Sequence, residues 1–145
     1  MSFKFNPNAA DDRKYVSKAG VYEATLQAVK QDYLPPRADL YCKLTFVTTD
    51  GETVYSDIFA KADKNGGHER LDQFLAATAT PEEVKELLSG GELEVDEGFL
   101  SKVTNRAIGR NLKVVVTERK YTKKDGTEGV AYQGSFFRKL PNAPY

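Results

Sequence analysis

Between residues 39 and 49 the chain reads DLYCKLTFVTT, and its apolar and polar positions alternate. Leu40, Cys42, Leu44 and Phe46 fall on one side; Tyr41, Lys43, Thr45 and Val47 fall on the other. A period of two is that of a strand with one buried face. Asp50-Gly51 follows, a strong hairpin signal. Residues 52–61, ETVYSDIFAK, then run back, with Val54, Ser56 and Ile58 on one face and Tyr55, Asp57, Phe59 and Lys61 on the other. An earlier strand is predicted over 20–30, opened by Gly20. Residues 31–37, QDYLPPR, are expected to form a loop, because Pro35-Pro36 cannot donate to a ladder.

The period changes after Asn65-Gly66-Gly67. Leu71, Phe74 and Leu75 have helical spacing within 68–78. A second helix is predicted over 80–89, with Thr80 as N-cap, Pro81 at the first helical position and Glu83 completing a capping box. A third, over 96–108, places Phe99, Leu100, Val103 and Ile108 on one side, with Gly109 as its C-cap. Strands return at 111–121 and 129–138 around the turn Asp125-Gly126. The expected fold is mainly β with a helical insertion: a five-stranded OB-fold barrel with helices between strands 3 and 4. A length of 145 residues suits one domain spanning 1–145. Its parts are an N-terminal arm over 1–18, the helical insertion over 66–109 and a C-terminal tail over 139–145.

Composition narrows the chemistry. One cysteine excludes an internal disulfide and fits a reducing compartment. No apolar run approaches the roughly 18 residues of a membrane span, so no membrane role is expected. The opening MSFKFNPNAADDRK lacks a signal-peptide core. Cys42, alternating with core positions, reads as a small buried hydrophobe, and the lone His68 as a solvated residue at a helix start. Neither metal-ligand spacing nor a phosphate loop is present, so no catalytic residues, metal or cofactor are expected.

The net charge of zero hides segregation. Residues 69–100 carry nine acids and two bases; residues 101–145 carry ten bases and three acids. The basic end peaks in ERKYTKKDG at 118–126, where Arg119, Lys120, Lys123 and Lys124 surround Tyr121. In an OB-fold a ligand crosses strands 2 and 3 between the 1–2 and 4–5 loops. The outward positions Tyr41, Lys43, Tyr55, Phe59 and Lys61, with Tyr33 and Arg37 in the first loop and ERKYTKKDG in the second, therefore converge on one surface. Cations neutralise phosphates. Aromatic rings stack on unpaired bases of any kind, worth ~1–3 kcal/mol each. Tyr and Phe are also ordinary strand residues, and tip lysines also solubilise a hairpin. The convergence, and not any single residue, points to single-stranded nucleic acid.

The opening MSFKFNPNA, the strand GVYEATLQAVK, the helix HERLDQFLAAT and the closing QGSFFRKL resemble phage-encoded single-stranded DNA-binding proteins of the OB-fold type. The likeness covers residues 1–140 and lies in layout and texture. It implies a protein that coats single-stranded DNA in phage replication, recombination or repair, in the cytoplasm of a bacterial host. Duplex DNA would be a weaker ligand, replication or recombination proteins further partners, and oligomerisation compatible with the role. Such proteins commonly end in an acidic tail. Here no acid follows Glu128, so tail-mediated recruitment is not carried over. A competing expectation is an assembly module that docks through its acidic helical insertion.

Overall fold

In a computed structural model, residues 14–36, 38–89, 94–143 and 145 are described. The elements run β1 (Gly20–Leu34), β2 (Asp39–Thr48), β3 (Thr53–Phe59), α1 (Glu69–Thr78), α2 (Pro81–Leu87), α3 (Glu97–Asn105), β4 (Asn111–Thr122) and β5 (Glu128–Arg138). The sheet order is β3-β2-β1-β4-β5, every neighbour antiparallel. The two outer strands therefore run the same way. They meet where Ser56 Oγ donates to the Gly134 carbonyl at 2.6 Å. A Cβ on Gly134 would lie 2.7 Å from Val114 Cγ1 and 3.1 Å from Ser56 Cβ, so the close approach requires glycine. The sheet curls into a barrel with its helices between β3 and β4, which is the OB-fold.

The alternation seen in the sequence builds the interior. Leu26, Cys42, Leu44, Phe46, Ile58, Leu112 and Val114 are buried on the inner faces. Phe74 from α1, and Leu100 and Val103 from α3, join them. Phe137 packs against Phe46 and Phe74 at centroid distances of 5.7 and 5.6 Å. Each such side chain contributes roughly 1.5–3 kcal/mol of burial. The capping box forms as expected: Thr80 Oγ1 accepts from the Glu83 N–H at 3.1 Å, and Glu83 accepts from the Thr80 N–H at 3.0 Å. Among the described residues no helix is long and apolar enough to cross a membrane.

Four local expectations are corrected. Residues 31–34 are strand, paired from Gln31↔Cys42 to Leu34↔Asp39. The residue before a proline favours extended backbone, so the proline pair ends the strand without excluding the residues before it. Helix α3 stops at Asn105, and Ile108 is exposed. Gly109, at φ +92°, instead gives its N–H to the Leu26 carbonyl at 2.8 Å, and this steers the chain into β4. His68 is partly buried, its Nε2 donating to the Ala60 carbonyl at 2.9 Å. Finally, part of the expected arm is docked. The Thr53 N–H donates to the Lys14 carbonyl (2.7 Å), the Val16 N–H donates to the Thr53 carbonyl (3.1 Å), and Val16 is buried.

Candidate nucleic-acid interface

Register decides which side chains share a surface. Across β2 and β3, Tyr41 pairs with Phe59, Lys43 with Asp57 and Thr45 with Tyr55. Their inward neighbours Cys42, Leu44, Ser56 and Ile58 are buried, so these residues look outward. The rings are not loose. Tyr41 and Phe59 stack at 5.3 Å with planes 24° apart. Lys43 Nζ lies 4.2 Å over the Tyr55 ring, a cation–π contact. Tyr15, from the docked segment, tilts against Tyr55 at 5.9 Å. Four of the expected residues, Tyr41, Lys43, Tyr55 and Phe59, thus form one aromatic surface. Lys61 lies exposed just beyond the end of β3.

The first hairpin supplies less than expected. The register of β1 against β2 shifts between Leu26 and Ala28. A bulge of this kind reverses which residues face outward. Lys30, opposite Lys43, and Asp32, opposite Tyr41, therefore join the outward face. Tyr33 pairs with Leu40, whose side chain packs on the core, and so lies on the other face from Tyr41. Arg37 lies outside the described residues.

The second hairpin is a ribbon that leaves the barrel. Gly20 of β1 pairs with Val116, so residues 117–122 continue past the start of β1, while β1 extends the opposite way to Leu34. The two hairpins project from opposite ends of the sheet. Arg119, Lys120, Tyr121, Lys123 and Lys124 are all exposed. Alternation puts Arg119 and Tyr121 on one side of the ribbon and Lys120 on the other. Tyr121 pairs with Gly129 and lies across it: a Cβ there would clash with the ring's Cζ, Cε2 and hydroxyl. Asp125 accepts from Thr127 Oγ1 (2.6 Å) and from the Thr127 N–H (3.0 Å), and these bonds hold its carboxyl below the usual range.

Not every base of the C-terminal end is available. Arg110 makes a two-pronged bond to Glu83, 2.7 Å from Nη1 to Oε1 and 2.9 Å from Nη2 to Oε2. Arg106 donates to the Thr78 carbonyl at 3.0 Å and lies 3.9 Å from the same carboxylate. The Arg110 bonds, followed by the Thr80 N–H, hold the Glu83 carboxyl down at about 2. These two arginines fasten α2 to the start of β4. Among the described residues, Arg119, Lys120, Lys123 and Lys124 make no ion pair.

Sequence reasoning missed Lys30, Tyr15, Arg70 and Phe136. Lys30 depends on the bulge and Tyr15 on docking of the arm. Arg70 comes from α1 and neutralises Asp57, with Nη1 to Oδ1 at 2.5 Å. Phe136, beside the buried Phe137, is 43% exposed on β5. A Phe-Phe pair in a strand must turn one ring outward, and that signal was legible.

No family model matches the chain, and no curated protein matches it. Among solved structures it is similar to yeast RPA bound to ssDNA, at 11% identity over 97% of this chain and 89% of that one, with a TM-score of 0.42. At that score the likeness adds nothing to the strand order, which establishes the fold.

Proposed function

We propose that the protein binds single-stranded DNA without strong sequence preference, coating it in phage replication, recombination or repair. The observation that carries this reading is the outward face of β2 and β3. Its rings are already paired, as Tyr41 on Phe59 and Lys43 on Tyr55. Rings held this way lose little freedom on stacking with bases. The exposed cations of the β4–β5 ribbon supply phosphate contacts. Duplex DNA offers those phosphates but no open base faces, so it is the weaker ligand. The role is one of binding, not catalysis, and its setting is the cytoplasm of a bacterial host.

The test is a salt titration of binding to oligo-dT, oligo-rU and duplex DNA. Oligo-dT should bind more tightly than duplex, with log K falling linearly against log salt. Flat salt dependence, or equal affinity for duplex, would overturn the reading. A docking role for the helical insertion is the second reading, favoured by the exposed Leu88 beside acidic helix faces. Oligonucleotide binding independent of salt, or none, would move the weight there.

A further inference from the structure

No backbone ladder joins β3 to β5; the sheet's hydrogen-bonded order ends with these two strands. Near the Ser56–Gly134 contact the seam is bridged by side chains of α1 and by that of His68, which precedes the helix. His68 donates to the Ala60 carbonyl at 2.9 Å, Arg70 donates to the Asp57 carbonyl at 3.3 Å, and Gln73 Oε1 accepts from the Phe137 N–H at 3.1 Å. Between the strands and this helix lies a cavity of about 290 Å³, and both Phe59 of β3 and Phe136 of β5 line it. That is at the small end of ligand pockets, about 300–1,000 Å³. It suits one ring system and no more.

The two rings differ in a telling way. Phe59 is stacked on Tyr41, so the lining it provides continues directly into the β2–β3 face. Phe136 is exposed and, among the described residues, has no ring contact. The lining charges select against an anion. Two cations, Lys61 and Arg70, stand among three carboxylates, Asp57, Asp63 and Glu69. Arg70 is committed to Asp57, and Asp63 accepts the Glu69 N–H at 2.8 Å. A phosphate entering here would meet excess negative charge. A neutral planar group with a polar edge would meet two phenyl rings and a set of donors and acceptors.

We propose that this seam pocket takes one nucleobase, turned off the β2–β3 face and held between Phe59 and Phe136, with exposed Lys61 at its mouth reaching the adjoining phosphate. The proposal rests on the single-strand reading above and assigns that surface a second kind of position. On the face, bases stack on one side only; in the pocket, one base is enclosed.

The test combines crosslinking with two variants of Phe136. Oligo-dT carrying single 5-iododeoxyuridines is irradiated on the whole protein, and the adducts are mapped by mass spectrometry. An adduct on Phe136 is expected. Phe136→Leu, which keeps apolar bulk but loses the ring, and Phe136→Ala should each weaken oligo-dT binding about tenfold at fixed salt, within the range of one stacked base. Both should leave the log K against log salt slope unchanged. Salt-dependent binding of oligo-dT at parental affinity by Phe136→Leu, with adducts confined to Tyr41 or Tyr55, would show the pocket empty while the single-strand reading stands. Absence of salt-dependent oligo-dT binding by the parent protein would remove both.

Discussion

The outward face of β2 and β3 and the β4–β5 ribbon carry the same residue types, aromatics and cations, in opposite arrangements. On the face, every named ring has a ring or a lysine against it, and Lys43 and Arg70 stand beside Asp57. Arg70 is neutralised by Asp57, Lys43 is held over a ring, and the rings are fixed. On the ribbon the cations are exposed, and Tyr121 lies over a glycine. The difference teaches that stacking and phosphate attraction are divided between two parts of the molecule. Rings fixed in advance lose little entropy when a base arrives. Long cationic side chains on a projecting ribbon can follow a flexible backbone. If the division holds, face variants change affinity at constant salt slope, and ribbon variants change the slope.

The largest effect is expected on the face. Tyr41→Ala and Phe59→Ala should each weaken oligo-dT binding by ~1–3 kcal/mol at fixed salt. Because the two rings stack on each other, the double variant should cost less than the sum of the singles. Anisotropy titrations at several salt concentrations provide the check, with thermal melts to confirm folding. A shallower slope in either single variant would break the division, since neither residue carries charge.

Next comes the pair that should matter to stability and not to DNA. Arg110, followed by the Thr80 N–H, holds the Glu83 carboxyl at about 2, against an ordinary 4.5. A carboxyl whose folded value is lowered adds stability above its unfolded value and loses it as pH falls through the folded one. The contribution is therefore complete above about pH 5 and fades from there toward pH 2. The shift corresponds to about 3 kcal/mol by linkage, and about 1–2 kcal/mol after solvent screening of a partly exposed pair. Arg110→Gln removes the largest cause of the shift but leaves the Thr80 N–H, and should lower stability by about 1 kcal/mol at pH 6 and by much less at pH 2.5 in denaturant melts. Its DNA salt slope at pH 7 should match the parent. A reduced slope would show that this arginine reaches phosphate and that the basic end acts as a whole.

The ribbon itself is tested by Lys123→Ala with Lys124→Ala. Losing two phosphate contacts should reduce the slope by about 1.4, at about 0.7 for each contact on a single strand. That is roughly sevenfold less change in Kd between about 50 and about 200 mM salt. An unchanged slope would make the ribbon a solvated turn and leave the face to act alone.

The succession of strands along the chain, the helical insertion and the β2–β3 face were legible because they rest on period and turn chemistry. Leu40 to Phe46 alternates whatever the rest of the chain does, and Thr80-Pro81 with Glu83 announces a helix locally. What failed depended on partners distant in sequence. The bulge near Gln27 sends Tyr33 to the wrong face and brings Lys30 to the right one. Arg106 and Arg110 count as basic charge in composition but are consumed by a carboxylate 23 and 27 positions earlier. The seam pocket needs β3, β5 and α1 at once, and no local pattern records that.

The smallest effect separates two roles of Tyr121. Gly129 is buried on an otherwise exposed ribbon because this ring lies across it. Covering a strand glycine stabilises a hairpin by an amount comparable to other cross-strand pairs, ~0.2–1 kcal/mol. The outer face of the ring remains open to a base. Tyr121→Ala removes cover and platform together. Gly129→Ala keeps the ring but unseats it, because the new Cβ occupies its place. If Tyr121 stacks from this seat, both variants should weaken oligo-dT binding by about threefold, less than a fully stacked base provides. The double variant should then lose little more than either single, since both act on one ring. Tyr121→Phe should bind like the parent. Titrations at one salt concentration, paired with melts, decide the matter. Loss of stability in Tyr121→Ala at parental affinity would make the ring only a cover for Gly129, leaving the ribbon to act by charge and the face by stacking.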